Sequence, residues 1–346
     1  MATHQRANLF GDVSRSILPL LNMLDDVQVS SLVEAVASGD GNSLADCDIS
    51  ALDLPEGFVL LDRRGLTTLC EAVLEMAENS PLLPLLPESV EGIRSVELIG
   101  ALILNTMEEP CSLYRLITNP LNVNGVRSKA ALKCQLRYLK LLTIALRAVP
   151  RSSNYWDTSV VYRGVSTEGN AALQWKRENF KEAFKPGTQL VFAAPTSTTK
   201  DASIAGTFTK GIQFVFQGDS PDSGPGGVML KAGDLSVYSN EEELLLEAPC
   251  TFIVVAATKV QETVVVVLQV LAAVPPHCPA REARIGHENH GNARAVIPPP
   301  LCSIHCNPAA AAHYIRAFSP RLLPAFLPQS RSHPCCATRD PSCKSP

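Results

Sequence analysis

Apolar residues recur at helical spacing through the first 150 positions, then gather into short β-branched runs, and the chain changes character where the two patterns meet. Val13 to Leu24 and Val27 to Val36 carry apolar residues three and four apart, and Gly39 and Gly41 end the second segment. Leu66 to Met76 repeats the pattern before a Pro/Leu-rich break at Ser80–Pro87. Val96 to Ile103 is a further apolar stretch. Ala131 to Val149 places Leu136, Leu139, Leu142, Ala145 and Leu146 on one helix face, and Pro150 closes it.

From Ser159 onward the apolar runs are short: Val160–Tyr162, Leu190–Phe192, Ile212–Phe216, Leu244–Leu246, Phe252–Val255 and Val264–Val270. Gly, Pro, Ser and Asp punctuate them, most densely between Gly218 and Gly227, which predicts several strands separated by turns. Helices first and strands afterwards predict an α+β fold rather than a doubly wound one. Residues 1–89 read as a helical N-terminal region of unknown role, 90–272 as the main domain, and 273–346 as a disordered tail rich in Pro, Cys and Arg.

Composition sharpens this division. The tail from Val274 holds 13 of the 26 prolines, six of the seven histidines and six of the 11 cysteines. It has eight basic residues against three acidic ones, so the first 273 residues have 22 against 31 and a net charge of −9. An acidic body suits a basic protein partner and gives no footprint for nucleic acid. The N-terminus shows no secretory signal, and Thr263–Val274 falls short of the roughly 20 residues of a membrane helix. An odd number of cysteines without a signal peptide predicts reduced thiols and a cytoplasmic protein with no membrane anchor.

Several chemistries are excluded. The only histidine before residue 274 is His4, so the body offers no Ser–His or Cys–His nucleophile pair and no histidine-bound zinc site. There is no G-x-x-x-x-G-K-[ST] phosphate loop, and Gly224–Gly227 lies between strands and opens no helix. In the tail, Cys302, His305, Cys306, His333, Cys335 and Cys336 are zinc-binding residue types, but their spacing fits no regular module.

Three segments remain. Arg163-Gly164 ends the strand begun by Val160; a guanidinium offers bidentate donors to a phosphate, and glycine allows close approach of a ligand to the backbone. Pro195-Thr196-Ser197-Thr198-Thr199 clusters hydroxyls beside the strand Leu190–Phe192, where they can orient a carboxylate. Glu241, Glu242 and Glu243 lead into Leu244–Leu246, and strand alternation puts Glu241 and Glu243 on one face.

In this order and at these spacings, the three segments resemble the arginine-type mono-ADP-ribosyltransferase family with its R–S–E signature. Tyr162-Arg163-Gly164 looks like the family's Tyr-Arg-Gly. The run Ser236–Leu246 is similar to its Ser-x-aromatic-x-x-Glu-x-Glu-aliphatic segment, and Pro249–Val254 to the strand that follows. The hydroxyl motif departs from the usual Phe-x-Ser-Thr-Ser, since Pro195 stands in place of the aromatic and Thr199 in place of the last serine. The resemblance covers roughly residues 90–272.

The resemblance implies a mixed, β-sandwich-like core that transfers ADP-ribose from NAD (or NADP) to arginine side chains of an acceptor protein, without a metal. Glu243 would bind the ribose 2′-hydroxyl, Ser197 would orient Glu243, and Glu241 would position and deprotonate the incoming guanidinium. Arg163 would hold a phosphate and Gly164 the nicotinamide amide, with Thr198 and Thr199 beside the nucleotide and Phe208 packing on the nicotinamide. An NAD glycohydrolase would use the same residues, and a binding module that has lost turnover would keep the fold.

Overall fold

A computed structural model describes residues 6–8, 22–39, 43–49, 58–107, 113–116, 126–192, 194–209, 211–220, 222–236, 243–248 and 250–271. The helix expected at Val13–Leu24 falls largely outside these residues, as do Glu241, Glu242 and the whole tail from residue 273 with its Cys/His clusters.

Among the described residues, the helices α1 (Leu32–Ala37), α2 (Arg63–Glu78), α3 (Ser95–Thr106) and α4 (Val126–Ala148) precede all but the first strand of the sheet. The Asp62 carboxylate accepts from Gly65 N at 2.8 Å and so begins α2, which buries Leu66, Leu69, Cys70, Val73 and Ala77 along one stripe. α3 is buried nearly all round, and Gly100 at its middle leaves room for Leu32, Val73 and Leu74. Glu97 on α3 is 3% exposed, yet its carboxylate is satisfied. It accepts from Leu32 N at 2.8 Å, capping the first turn of α1, and pairs with Arg94. Tyr138 on α4 donates its buried hydroxyl to Ala101 O at 3.1 Å, which ties α4 to α3.

The sheet has ten strands in the order β1-β6-β11-β12-β8-β5-β7-β10-β9-β4. These are β1 (Arg6–Asn8), β4 (Trp156–Asp157), β5 (Val161–Ser166), β6 (Gln189–Phe192), β7 (Thr196–Thr199), β8 (Gly211–Gln217), β9 (Gly227–Leu230), β10 (Glu243–Leu246), β11 (Cys250–Val260) and β12 (Thr263–Val270). A separate two-stranded ribbon pairs β2 (Ser89–Val90) with β3 (Ile93–Arg94). Pairing is antiparallel except at β1/β6 and β12/β8, so the sheet is mixed and the fold is α+β. Each of the six strands expected from the apolar runs is present.

Three helices punctuate the strands: α5 (Ala171–Glu178), α6 (Phe180–Ala183) and α7 (Ala202–Phe208). They are too short for an apolar period to register, and α5 and α7 start at the side-chain caps Asn170 and Asp201. No helix among the described residues is long and apolar enough to cross a membrane.

Two apolar cores lie against this sheet. One joins α1–α4 to Val228, Leu230, Leu235 and Leu245, so residues on both sides of position 89 share it. The other is built on β5, β6, β8, β11 and β12, where Phe192 meets Phe214, Phe216 and Phe252 edge to face at 5.3–5.8 Å between ring centres. β10 serves both, since Leu244 and Leu246 enter the phenylalanine core and Leu245 enters the helical one.

Candidate active site

Of the residues singled out by the three motifs, Arg163, Gly164, Ser197, Thr198, Thr199 and Glu243 lie on three laterally adjacent strands, β5, β7 and β10, whereas Glu241 lies outside the described residues. β7 pairs with β10 along its length: Thr199 opposite Glu243, Thr198 opposite Leu244 and Ser197 opposite Leu245. β5 meets β7 at one position only, Tyr162 opposite Thr199. Past that point the two strands part, and the Arg163 side chain crosses the opening to donate from Nη1 to Ser197 O at 2.8 Å.

Arg163 is half-buried. Burial pulls its guanidinium below the ordinary value, while the neighbouring Glu243 carboxylate and Tyr114 push it back up. Glu243 therefore acts electrostatically on Arg163 from two strands away. Tyr114, in the helical turn 113–116, is a neighbour that no sequence signal announced, because it lies far upstream of the motifs.

The four hydroxyls of the second motif have different surroundings; Thr196 donates to Ala194 O at 3.0 Å. Ser197 is exposed. Thr198 is buried and donates to Leu244 O at 2.7 Å, so its hydroxyl is used within the sheet. Thr199 Oγ1 accepts from Asp201 N at 3.2 Å at the turn into α7. These hydroxyls, expected beside the strand Leu190–Phe192, themselves form a strand, because three of the four are β-branched threonines that fit a buried, pleated surface.

Gly164 is required, but the backbone that approaches it is the protein's own. A Cβ there would collide with Ala205 O and come within 2.7 Å of Thr209 N, because the C-terminal end of α7 lies directly on β5. Thr209 in turn donates to Ala205 O at 2.7 Å. Phe208 closes α7 at this place; its side chain is outside the described residues.

Next to Thr209 the surface opens into a polar recess of about 520 Å³. Thr167, Gly211, Gln174 and Arg177 of α5, and Glu262 are among the residues that line it. Arg177 Nε and Nη2 both donate to Glu262 O, at 3.1 and 2.9 Å, holding α5 to the β11–β12 turn. Among the described residues no three His, Cys, Asp or Glu side chains gather as a metal site.

No protein-family model matches the chain, and no curated protein matches it. Solved structures do. The ADP-ribosyltransferase HopU1 of Pseudomonas syringae pv. Tomato DC3000 is 19% identical, covering 64% of this chain and 92% of its own, with a TM-score of 0.44. The type III effector XopAI from Xanthomonas axonopodis pv. citri is 16% identical over 75% of this chain and 100% of its own, with a TM-score of 0.45. Vis, an ADP-ribosyltransferase toxin from Vibrio splendidus, is 15% identical over 65% of this chain and 91% of its own, with a TM-score of 0.38.

Proposed function

We propose that this chain is a mono-ADP-ribosyltransferase that moves ADP-ribose from NAD to arginine side chains of an acceptor protein. The observation that carries the reading is the convergence of Arg163, Ser197 and Glu243 on β5, β7 and β10, with Arg163 bridging the opening between the first two strands. The resemblance of the three motifs assigns the roles.

The reaction breaks the bond between the ribose C1′ and the nicotinamide nitrogen, and the electron pair leaves with nicotinamide. Positive charge develops on the sugar, so the protein must supply a fixed carboxylate more than a strong base. Glu243, at the start of a strand shared by both cores, is assigned the hydrogen bond to the ribose 2′-hydroxyl. Exposed Ser197 lies on the neighbouring strand two positions along from Thr199, the residue that faces Glu243 in the ladder, and is assigned to steady it. Arg163 presents a planar cationic fork in a half-buried setting, which fits a diphosphate far better than an exposed lysine would. The acceptor guanidinium attacks C1′ and loses one proton, for which Glu241 is the assigned base.

The test is to incubate the purified protein with labelled NAD and agmatine, with Glu243→Gln alongside. Labelled agmatine from the wild type and none from the variant is the expected result. Nicotinamide release without labelled agmatine would instead favour water as the acceptor. Absence of any turnover by the wild type would overturn the reading.

A further inference from the structure

The turn that follows β9 is held by residues far from it in sequence. Asp234 receives two hydrogen bonds, from the Ser80 hydroxyl on one carboxylate oxygen and from the Tyr155 phenol on the other. Ser80 lies just past the C-cap of α2 and is 5% exposed; Tyr155 precedes β4 and is 3% exposed. Lys231 Nζ lies 4.3 Å from the centre of the Tyr155 ring, so the carboxylate and the ammonium grip the same tyrosine from its edge and its face. The turn itself is tight: Lys231 O accepts from Asp234 N, Leu235 N and Ser236 N at 3.2, 2.9 and 3.0 Å, and Leu235 is fully buried in the helical core.

This anchor stands opposite the catalytic carboxylate. In the β9/β10 ladder Leu230 faces Glu243, which makes them the last paired residues before the chain enters the turn at Lys231. The end of the hairpin that carries Glu243 is therefore clamped to the helical part of the molecule through Ser80 and Tyr155. Nothing in the reaction chemistry calls for Asp234, and a carboxylate satisfied by two hydroxyl donors on distant elements is an expensive device for an ordinary turn.

We infer that Asp234 is a positioning residue: held by Ser80 and Tyr155, it fixes the β9–β10 end so that Glu243 stays aimed at the opening spanned by Arg163. The inference rests on the proposed transferase reading. It gives the helical segment around Ser80 a part in turnover, beyond a role in carrying the chain.

The experiment compares NAD cleavage, measured as nicotinamide release, in the wild type, Asp234→Ala, Asp234→Asn, Tyr155→Phe and Ser80→Ala. Misplacement of Glu243 lowers kcat, and a shift of an ångström or less costs roughly tenfold to a hundredfold. Asp234→Ala should therefore lose kcat on that scale with KM for NAD within about twofold, since Arg163 sits on a different strand. Asp234→Asn, which keeps an acceptor for the Tyr155 hydroxyl, should recover part of the loss. If Asp234→Ala does not fold, Tyr155→Phe and Ser80→Ala each remove one donor and should each lower kcat with KM kept. An unchanged kcat in all folded variants, or equal losses in Asp234→Asn and Asp234→Ala, would overturn the inference while leaving the transferase reading in place. A wild type that cleaves no NAD would overturn both.

Discussion

Arg163 Nη1 reaches Ser197 O across 2.8 Å at the point where β5 and β7 part after a single paired position. A side-chain donor takes a main-chain acceptor where a ladder bond would otherwise run. The guanidinium thus bridges the opening and is oriented by it, and Glu243 on the next strand feels its charge.

Arg163→Lys is the prediction drawn from this bridge. Lysine keeps the charge but not the planar fork, so it cannot hold Ser197 O and a diphosphate with one rigid group. KM for NAD should rise about tenfold, consistent with the loss of one charge-assisted hydrogen bond. Steady-state nicotinamide release against NAD concentration measures it, and an unchanged KM would remove Arg163 from the binding site.

Glu241→Gln separates the two half-reactions. If Glu241 serves the incoming guanidinium, nicotinamide release to water should persist while agmatine labelling falls on the order of a hundredfold, the usual worth of a general base. Equal loss of both activities would mean that Glu241 acts on NAD instead.

Gly164→Ala probes packing and not conformation, because Gly164 is absent from the positive-φ residues and its crowding comes from α7. One methyl group must displace Ala205 O and Thr209, an overpacking cost of about 1–3 kcal/mol. Chemical denaturation should show a lower midpoint with an unchanged slope.

The alkaline limit of stability follows from buried thiols. Burial, with Glu97 and Glu71 nearby, lifts the Cys70 thiol from 9.0 to about 12, and burial lifts Cys250 to about 12 and Cys47 to about 11. The unfolded chain gives up these protons from pH 9 while the folded chain keeps them. Their contribution is therefore whole below pH 9 and is lost as the pH climbs to 11–12. Lys176 works the other way: burial lowers its ammonium from 10.5 to about 8, so its contribution to stability rises with pH across that window. Three thiols outweigh one amine, and the urea midpoint should fall from pH 9 to pH 10.5 under reducing conditions. Cys70→Ala should flatten that fall by up to about 1.4 kcal/mol for each pH unit.

Much of this was legible in the sequence, for identifiable reasons. β10 and β12 are largely covered on both sides, so Leu244–Leu246 and Val264–Leu268 read as continuous apolar runs, and β8 reads as one broken only by the buried Gln213. α2 announced itself through the stripe Leu66, Leu69, Cys70, Val73. β7 did not, because Thr196, Ser197, Thr198 and Thr199 look like a loop until the Thr198 hydroxyl finds Leu244 O. α7 had only Asp201 as a start signal. At the candidate site, the motifs single out Arg163, Ser197 and Glu243, which lie on the adjacent strands β5, β7 and β10. Asp234 could not, because Ser80, 154 residues away, supplies half of its partners. The protein's own use of the space over Gly164 was equally invisible, since it depends on how α7 folds back.

β10 is shared property. Leu245 is held by one core and Leu244 and Leu246 by the other, so neither half of the molecule can come apart without releasing the strand that begins at Glu243. Heat or denaturant applied to either half should extinguish turnover and compactness in the same cooperative step. No half-melted form of this chain is expected to go on cleaving NAD.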